Sequence, residues 1–437
     1  MKLPNIVGII ADDLTGANDT ALQFKKCIAE TKILLNNVTA PENDLNTEVW
    51  AISTESRNVE PEIAKEKVRE SIKILNENLN LEHFYKKIDS TMRGNIAVET
   101  LVMIEELGYD VAIIIPAFPP EARITVGGYH LCKGVPIGRT EIARDPHSPI
   151  TESHIPTLFK SQLDEKDAEL VATLDLKTIM NGAGPILVKI NELVKQGKKL
   201  IIADAVTIVD IEQIVLAISK SNYKILPAGT ASTGKVLAKE WIGIDEENVK
   251  CESVTIPKLP KLIISGSATQ INANQIDYLE HSYDYDNIVF IPLTPQDILQ
   301  GVTYEIIDKI LNNLVQGNTV VVHSSKLLEN FDGFSDDSLK EELTRPKFAS
   351  KITDYLAYLT KCVKDKMDFM LVMLGGETSF KCCNAILATE LTMLDEVAPA
   401  IALCRDEHYQ YLITKSGNLG NPRTLVDILH YIENHEA

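Results

Sequence analysis

The sequence predicts an α/β protein of two domains, each a mostly parallel sheet flanked by helices. Three observations carry that prediction. Short apolar runs alternate with helical periodicity along most of the chain, the pattern of a sheet covered on both faces. The 437 residues exceed what one hydrophobic core ordinarily supports. A polar stretch over residues 244–260, ending in Ile256-Pro257-Lys258-Leu259-Pro260, interrupts the alternation and separates residues 1–250 from residues 251–437.

In the first domain the apolar run 6–10 reads as a buried strand. It stops abruptly at Asp12-Asp13-Leu14-Thr15-Gly16 and gives way to a helical pattern over 17–27. Strands follow at 31–35 and 48–53. A charged helix over 61–78 then carries Ile63, Val68, Ile72 and Leu75 at helical spacing. A strand at 84–88, a helix over 96–106 and a strand at 111–115 come next. From 117 to 156 the pattern fails: the stretch is rich in Gly, Pro, Arg and His, with a strand expected only near 128–132. A loop of such length in a compact domain is usually functional or disordered; its hydrophobicity and its arginines argue for an ordered, functional one. Alternation resumes with strands near 170–174, 200–204 and 224–227. The second domain repeats the style with strands at 261–265, 287–292, 319–323 and 369–374. Its tail, from 403 onward, reads as a strand or two, a glycine loop and a helix over 424–434. No internal repeat or low-complexity segment is visible.

Composition narrows the function classes. Hydrophobic residues at 45% and charged residues at 24% describe an ordinary globular protein. The net charge of −19, from 62 acidic against 43 basic residues, argues against a nucleic-acid partner, whose phosphates need neutralising cations. An anionic ligand would need a local cluster of lysines and arginines. The seven cysteines (Cys27, Cys132, Cys251, Cys362, Cys382, Cys383 and Cys404) lack C-x-x-C spacing, which indicates neither zinc nor a disulfide framework. Nine histidines without a His/Cys cluster make a transition-metal site unexpected. The N-terminal run is broken by Asp12 and Asp13, and no stretch approaches the roughly 20 apolar residues of a membrane span. A cytoplasmic protein without a membrane partner is expected, with a homodimer as the default assembly.

Polar residues just past the carboxyl end of a strand in such a sheet usually face a ligand crevice. Asp12 and Asp13 stand there, suited to magnesium, to substrate hydroxyls or to proton removal. Capping of the following helix by Asp13 or Thr15 is the alternative. The run Lys86-Lys87-Ile88-Asp89-Ser90-Thr91-Met92-Arg93-Gly94-Asn95 ends another strand and offers cations, hydroxyls and an amide, a patch for an anion or a polyol. Arg57 follows a third strand. The irregular stretch adds Arg123, Gly127, Gly128, Arg139, Thr140, Arg144 and Asp145, whose arginines either clamp substrate or pair with the surplus acids. His147 reads there as a loop residue. Three glycine-rich loops follow strands of the second domain: Ser265-Gly266-Ser267-Ala268-Thr269, Gly375-Gly376-Glu377-Thr378-Ser379 and Ser416-Gly417-Asn418-Leu419-Gly420. Glycines admit close approach of a phosphate, and a helix N-terminus beyond them adds partial positive charge. None is a Walker A loop, and none is the G-x-G-x-x-G of a dehydrogenase. Together they point to a nucleotide site.

These motifs resemble, in order along nearly the whole chain, the four-carbon acid sugar kinase family. The likeness rests on Ala11-Asp12-Asp13-Leu14-Thr15-Gly16-Ala17-Asn18-Asp19, Lys87-Ile88-Asp89-Ser90-Thr91-Met92-Arg93-Gly94-Asn95, Pro116-Ala117-Phe118-Pro119, Gly134-Val135-Pro136, Gly375-Gly376-Glu377-Thr378 and Thr414-Lys415-Ser416-Gly417. The resemblance implies an N-terminal sugar-acid-binding domain, a C-terminal nucleotide-binding domain and an active site in the cleft between them. It implies phosphorylation, by ATP with Mg2+, of the terminal hydroxyl of a four-carbon sugar acid such as threonate, erythronate or 3-oxo-tetronate. Arg57, Lys87, Ser90, Thr91 and Arg93 would hold the acid. Asp12 or Asp13, with Asp89 behind, would accept the hydroxyl proton. Ser265, Gly266, Ser267, Gly375, Gly376, Glu377, Thr378, Gly417 and Gly420 would hold ATP; no metal ligand is assigned. The chain departs from the family pattern at Glu377, where an aspartate is frequent, and at Asn418, where a further glycine is common. A non-catalytic protein that binds a nucleotide or a sugar acid, and a kinase of the same family for another polyol acid, are the competing readings.

Overall fold

The computed structural model describes residues 7–27, 29–35, 47–145, 148–243, 254–267, 269–282, 287–325, 327 and 344–437. The chain divides into two compact units, 1–250 and 251–437. Residues 250 and 251 lie outside the described residues, as do residue 6 of the first expected strand, Cys251, Ala268 and His147.

The first unit contains β1 (Val7–Ala11), β2 (Thr31–Leu34), β3 (Val49–Ser53), β4 (His83–Lys87), β5 (Val111–Ile115), β6 (Arg123–Val126), β7 (Tyr129–Cys132), β8 (Val135–Pro136), β9 (Val171–Leu174), β10 (Leu200–Ala203) and β11 (Ile225–Gly229). Its main sheet runs β2-β3-β1-β4-β11-β5-β10-β9, and every neighbouring pair is parallel. β1, β3 and β5 are buried along their whole length, as continuous apolar runs in a parallel sheet should be. Helix α1 (Leu14–Lys25) follows β1. Helix α2 (Pro61–Asn78) opens on a proline, whose missing N–H is no loss in a first turn. Helix α3 (Ile96–Leu107) ends where Gly108 turns left-handed, with φ 64°. Val68, Ile72 and Leu75 of α2 join Trp50, Ile52 and Phe84 in the core, but Ile63 stays half exposed. It lies in the first turn, off the packed stripe.

The stretch 117–156 is not irregular. β6, β7 and β8 form an antiparallel sheet of their own. Gly127 and Gly128 make its first turn with φ 59° and 76°, and Lys133 and Gly134 its second with φ 52° and 80°. Two successive positive φ values are what a tight hairpin turn needs, so the Gly-Gly pair was the signal for β6 that the loss of alternation concealed.

The second unit contains β12 (Lys261–Ser265), β13 (Ile288–Pro292), β14 (Thr319–His323), β15 (Met370–Leu374), β16 (Glu390–Ala398), β17 (Ile401–Asp406) and β18 (Tyr411–Lys415). The order is β13-β14-β12-β15-β18-β17-β16. The first five strands are parallel and the last two antiparallel, so β16 and the β16–β17 hairpin add to the tail that the sequence suggested. Its core gathers Ile263, Val321, Met370, Val372, Leu403 and Ile413. No helix among the described residues is long and apolar enough to cross a membrane. Both units open with one wiring: β2-β3-β1-β4 in the first is β13-β14-β12-β15 in the second.

Candidate active site

In the first unit β1 lies between β3 and β4, with Ala11 opposite Ser53 on one side and Lys87 on the other. Three segments therefore leave the sheet at one level, and the fold brings their polar residues together. Arg57 is the hub. Its Nε donates to Asp12 Oδ2 at 2.7 Å and its Nη2 to Asp12 Oδ1 at 3.1 Å. Its Nη1 stands 2.8 Å from Asp13 Oδ2, and its Nη2 3.8 Å from Asp89 Oδ1. Arg93 binds Asp89 through Nε at 2.8 Å and Asp145 through Nη1 at 3.0 Å. Thr91 Oγ1 donates to Asp89 Oδ2 at 2.5 Å.

Asp13 is both a cap and a member of this cluster. It accepts the Gly16 amide at 2.8 Å and the Thr15 hydroxyl at 2.7 Å while it faces Arg57. Gly16 has no room for a side chain: a Cβ would come within 2.7 Å of Asp13 Oδ1 and 2.9 Å of Lys87 Nζ. The Lys87 ammonium thus stands over the first turn of α1. Helix α3 takes Asn95 as its N-cap residue.

The electrostatics follow from burial working against paired charge. Burial alone would raise the Asp89 carboxyl, but the Arg93 and Arg57 guanidiniums outweigh it and hold it well below the usual carboxylate range. Asp13 is likewise held low by Arg57 and Lys87 against the pull of burial. The aspartates in turn keep Arg57 charged although it is buried. The network keeps Asp13 and Asp89 ionised, and it presents carboxylate oxygens to whatever enters.

The structure adds members and partners whose roles the sequence left open. Glu55 adopts φ 47° and accepts the Leu14 amide at 2.8 Å and the Ser53 hydroxyl at 2.5 Å, which ties β3 to the start of α1. Burial, with the Asp13 charge behind it, pushes the Glu55 carboxyl up to about 8. Met92 also has positive φ, at 63°, and such outliers concentrate at functional sites. Beneath the cluster, Lys86 and Glu99 form a fully buried ion pair at 2.6 Å. From the small sheet, Arg123 donates Nη1 to the Ser90 hydroxyl. His130 Nε2 meets the Ser90 carbonyl at 3.0 Å and Nδ1 meets Thr125 Oγ1 at 2.9 Å. Burial pulls His130 down to about 4, so the ring is neutral near pH 7 and donates from Nε2.

In the second unit Ser265 lies opposite Leu374 across β12 and β15, and Leu374 opposite Lys415 across β15 and β18. The three glycine loops leave the sheet there and pack on one another. A Cβ on Gly375, which has φ 114°, would lie 3.3 Å from Ser267 Cβ, and one on Gly417 would run into Ser267 Oγ. Thr269 Oγ1 donates to the Gly417 carbonyl at 2.7 Å, and the Gly375 amide to the Lys415 carbonyl at 2.8 Å. The helix Gly376–Ala385 begins directly after Gly375, and its first amides have no partner within the helix. Among the described residues the buried Ser265 hydroxyl has no hydrogen-bond partner. Gly420, with φ 87°, sits farther along its loop, against Thr424 and Gln275. The Glu377 carboxylate accepts from Thr353 Oγ1 and pairs with Lys381, each at 3.0 Å, so it faces the helix Arg345–Lys364.

Among the described residues no group of three or more His, Cys, Asp or Glu is arranged to hold a metal ion; Arg57 supplies the counter-charge to Asp12 and Asp13. Cys27, Cys132, Cys362, Cys382, Cys383 and Cys404 are free thiols.

Known proteins extend this picture. A family model described as a sugar-binding N-terminal domain matches residues 7–237, and one described as a nucleotide-binding C-terminal domain matches residues 262–425. The D-erythronate kinase of Heliobacterium modesticaldum is 28% identical, over 98% of this chain and 97% of its own. The D-threonate kinase of Salmonella typhimurium is 26% identical, over 97% of this chain and 98% of its own. A crystal structure of a Haemophilus influenzae protein shares the fold, with a TM-score of 0.72 at 21% identity over 98% of this chain and 99% of that one.

Proposed function

The chain belongs to the four-carbon acid sugar kinase family and is a phosphotransferase with an alcohol acceptor; from that premise we propose that it moves the γ-phosphoryl group of ATP to the C4 hydroxyl of a four-carbon sugar acid. D-Erythronate and D-threonate, on which its relatives are named to act, and 3-oxo-tetronate are the acceptors to test. The sugar acid binds in the first unit and the nucleotide in the second, in a cytoplasmic setting where ATP is at hand.

The observation that carries this reading is the gathering of Asp12, Asp13 and Asp89 around Arg57 at adjacent strand ends. Ionised carboxylates held in fixed directions suit the hydroxyls of a polyol. Asp12 or Asp13 accepts the proton of the attacking hydroxyl, with Asp89 behind them. Phosphoryl transfer demands positioning and charge neutralisation more than covalent chemistry, and the network supplies the first. Lys87 and the loop Asp89–Arg93 line the acid. In the second unit, amides of the three packed glycine loops and of the helix starting at Gly376 face the phosphates, with Ser265 at their base. Glu377 acts there by holding Lys381 and its own loop.

Magnesium would neutralise phosphate charge. It would be held chiefly by the nucleotide's phosphates, as is usual for an ion that keeps most of its waters.

The test is an ADP-release assay with Mg-ATP across D-erythronate, D-threonate, their L-isomers and 3-oxo-tetronates, run beside Asp13→Asn and Gly375→Val. Turnover of one acid that falls at least 100-fold in both variants, about the contribution of a lost catalytic base, supports the reading and names the acceptor. Binding of ATP and acid without ADP release would favour the non-catalytic binding protein.

A further inference from the structure

The cations around the sugar-acid residues are not equivalent. Arg57 is held by Asp12 and Asp13, and Arg93 by Asp89 and Asp145. Four aspartates therefore face two arginines, and both guanidiniums are already engaged by carboxylates. Arg123 differs. Among the described residues it has no carboxylate partner; its Nη1 donates to the neutral Ser90 hydroxyl, and its Nε is buried without a hydrogen-bond partner. A buried N–H of a charged group left unpaired is costly unless something else pairs it.

Its placement is built rather than accidental. Arg123 opens β6, whose Thr125 exchanges backbone hydrogen bonds with Ala205 at 2.9 and 3.0 Å. The neutral His130 on β7 clamps the Ser90 carbonyl from the same sheet. The small sheet thus carries one guanidinium to the loop Asp89–Arg93 and fixes it there. A planar guanidinium with a spare N–H beside a ring of carboxylates is complementary to the one part of a sugar acid that carboxylates repel.

We propose that Arg123 receives the carboxylate of the sugar acid; the inference rests on the kinase reading above. It also gives the β6–β8 sheet a purpose, which is to bring a cation to a site whose other arginines are already engaged.

Full-length wild type, Arg123→Gln and Arg123→Lys are to be compared for kcat and for KM of the preferred acid and of ATP. Arg123→Gln should raise the acid KM roughly 10- to 100-fold, the size expected for a lost charge-assisted hydrogen-bond pair. The ATP KM should stay within twofold and kcat should fall less than the acid KM rises. Arg123→Lys, which keeps charge without the fork, should lie between. An unchanged acid KM in Arg123→Gln, or a parallel loss in acid KM, ATP KM and kcat, overturns the proposal. If Arg123→Gln does not fold, Arg123→Lys decides: a wild-type acid KM overturns it. Wild type inactive on every acid would instead overturn the kinase reading itself.

Discussion

Arg57 reaches three carboxylates at once because its guanidinium is a planar fork: one edge takes both oxygens of Asp12 while Nη1 turns to Asp13. Removing it strands buried negative charge. Arg57→Met should cost about 3–5 kcal/mol, the usual penalty for orphaning one side of a buried ion pair. Arg57→Lys should recover little of it, since an ammonium cannot form the bidentate pair; urea denaturation of the three proteins measures both. Glu55 makes the opposite statement. Its carboxyl keeps its proton up to about pH 8 in the folded chain, against about 4.5 ordinarily. The folded state therefore holds more protons than the unfolded one across that window, and stability contributed by Glu55 falls as pH rises through it. Glu55→Gln, which keeps the acceptor for Leu14 and Ser53, should remove that fall; melts at pH 5 and about pH 8.5 would show the wild type losing more than the variant. The aspartates, Arg57 and Arg93 were legible in the sequence because each interrupts the chain just past an apolar run. Glu55 and His130 were not, and Arg123 stood out only as one of several arginines in the irregular stretch, because their roles come from partners such as Leu14, 41 residues away from Glu55, and Ser90, 33 away from Arg123.

At the scale of elements, β4 and α3 are joined by Lys86 and Glu99, both buried, with the Glu99 carboxyl raised by burial against the pull of Lys86. Lys86→Met should lose about 3–5 kcal/mol, and Lys86→Met/Glu99→Leu should regain most of it, because a buried pair adds little over apolar packing once both charges are gone. Equilibrium unfolding of the single and double variants tests this; an additive double loss would contradict it. β18 ends in another buried cation. Lys415 Nζ donates to Asn272 Oδ1 at 2.7 Å and to the Ser416 carbonyl at 2.8 Å, and burial draws it down to about 7. Between that pH and roughly 10, where an unfolded lysine titrates, the folded chain holds fewer protons, so stability rises with pH. Lys415→Met should flatten that rise. The parallel strands and main helices were legible from alternation, since a buried strand and an amphipathic helix leave different periods. The hairpins β6–β7 and β16–β17 were not, because the partly exposed antiparallel strands β6 and β16 mix polar with apolar residues, and their hairpins are marked mainly by turn residues such as Gly127-Gly128 and Ala400, whose φ is 62°.

For the whole molecule, the α/β architecture follows from alternation alone, whereas which strand sits beside which does not. Order is set by crossover connections, and those are fixed by helices packing on both faces. If the two units take different ligands, hydrogen exchange should separate them. The sugar acid should slow exchange at residues 12–16, 54–57 and 88–94, and ATP at 265–269, 375–379 and 415–420. Each would add about 2.7 kcal/mol to its own unit at a concentration of 100 times its Kd. Protection of both sets by either ligand alone would show coupled units, and protection of the wrong set would reverse the assignment.

The wiring shared by the two units has a consequence for the order in which function appears during synthesis. In each, the first strand made becomes an inner strand, and its neighbours on either side arrive later: β3 and then β4 around β1, β14 and then β15 around β12. A growing chain that has emitted Asp12 and Asp13 holds two like charges with nothing to answer them until Arg57 arrives, and the Asp89 loop comes only when β4 docks. In the second unit the loop after β18 is the last of the three to join. Each cluster of strand-end loops is thus completed by a late arrival, and a ribosome-bound intermediate with most of either sheet in place would still lack part of it.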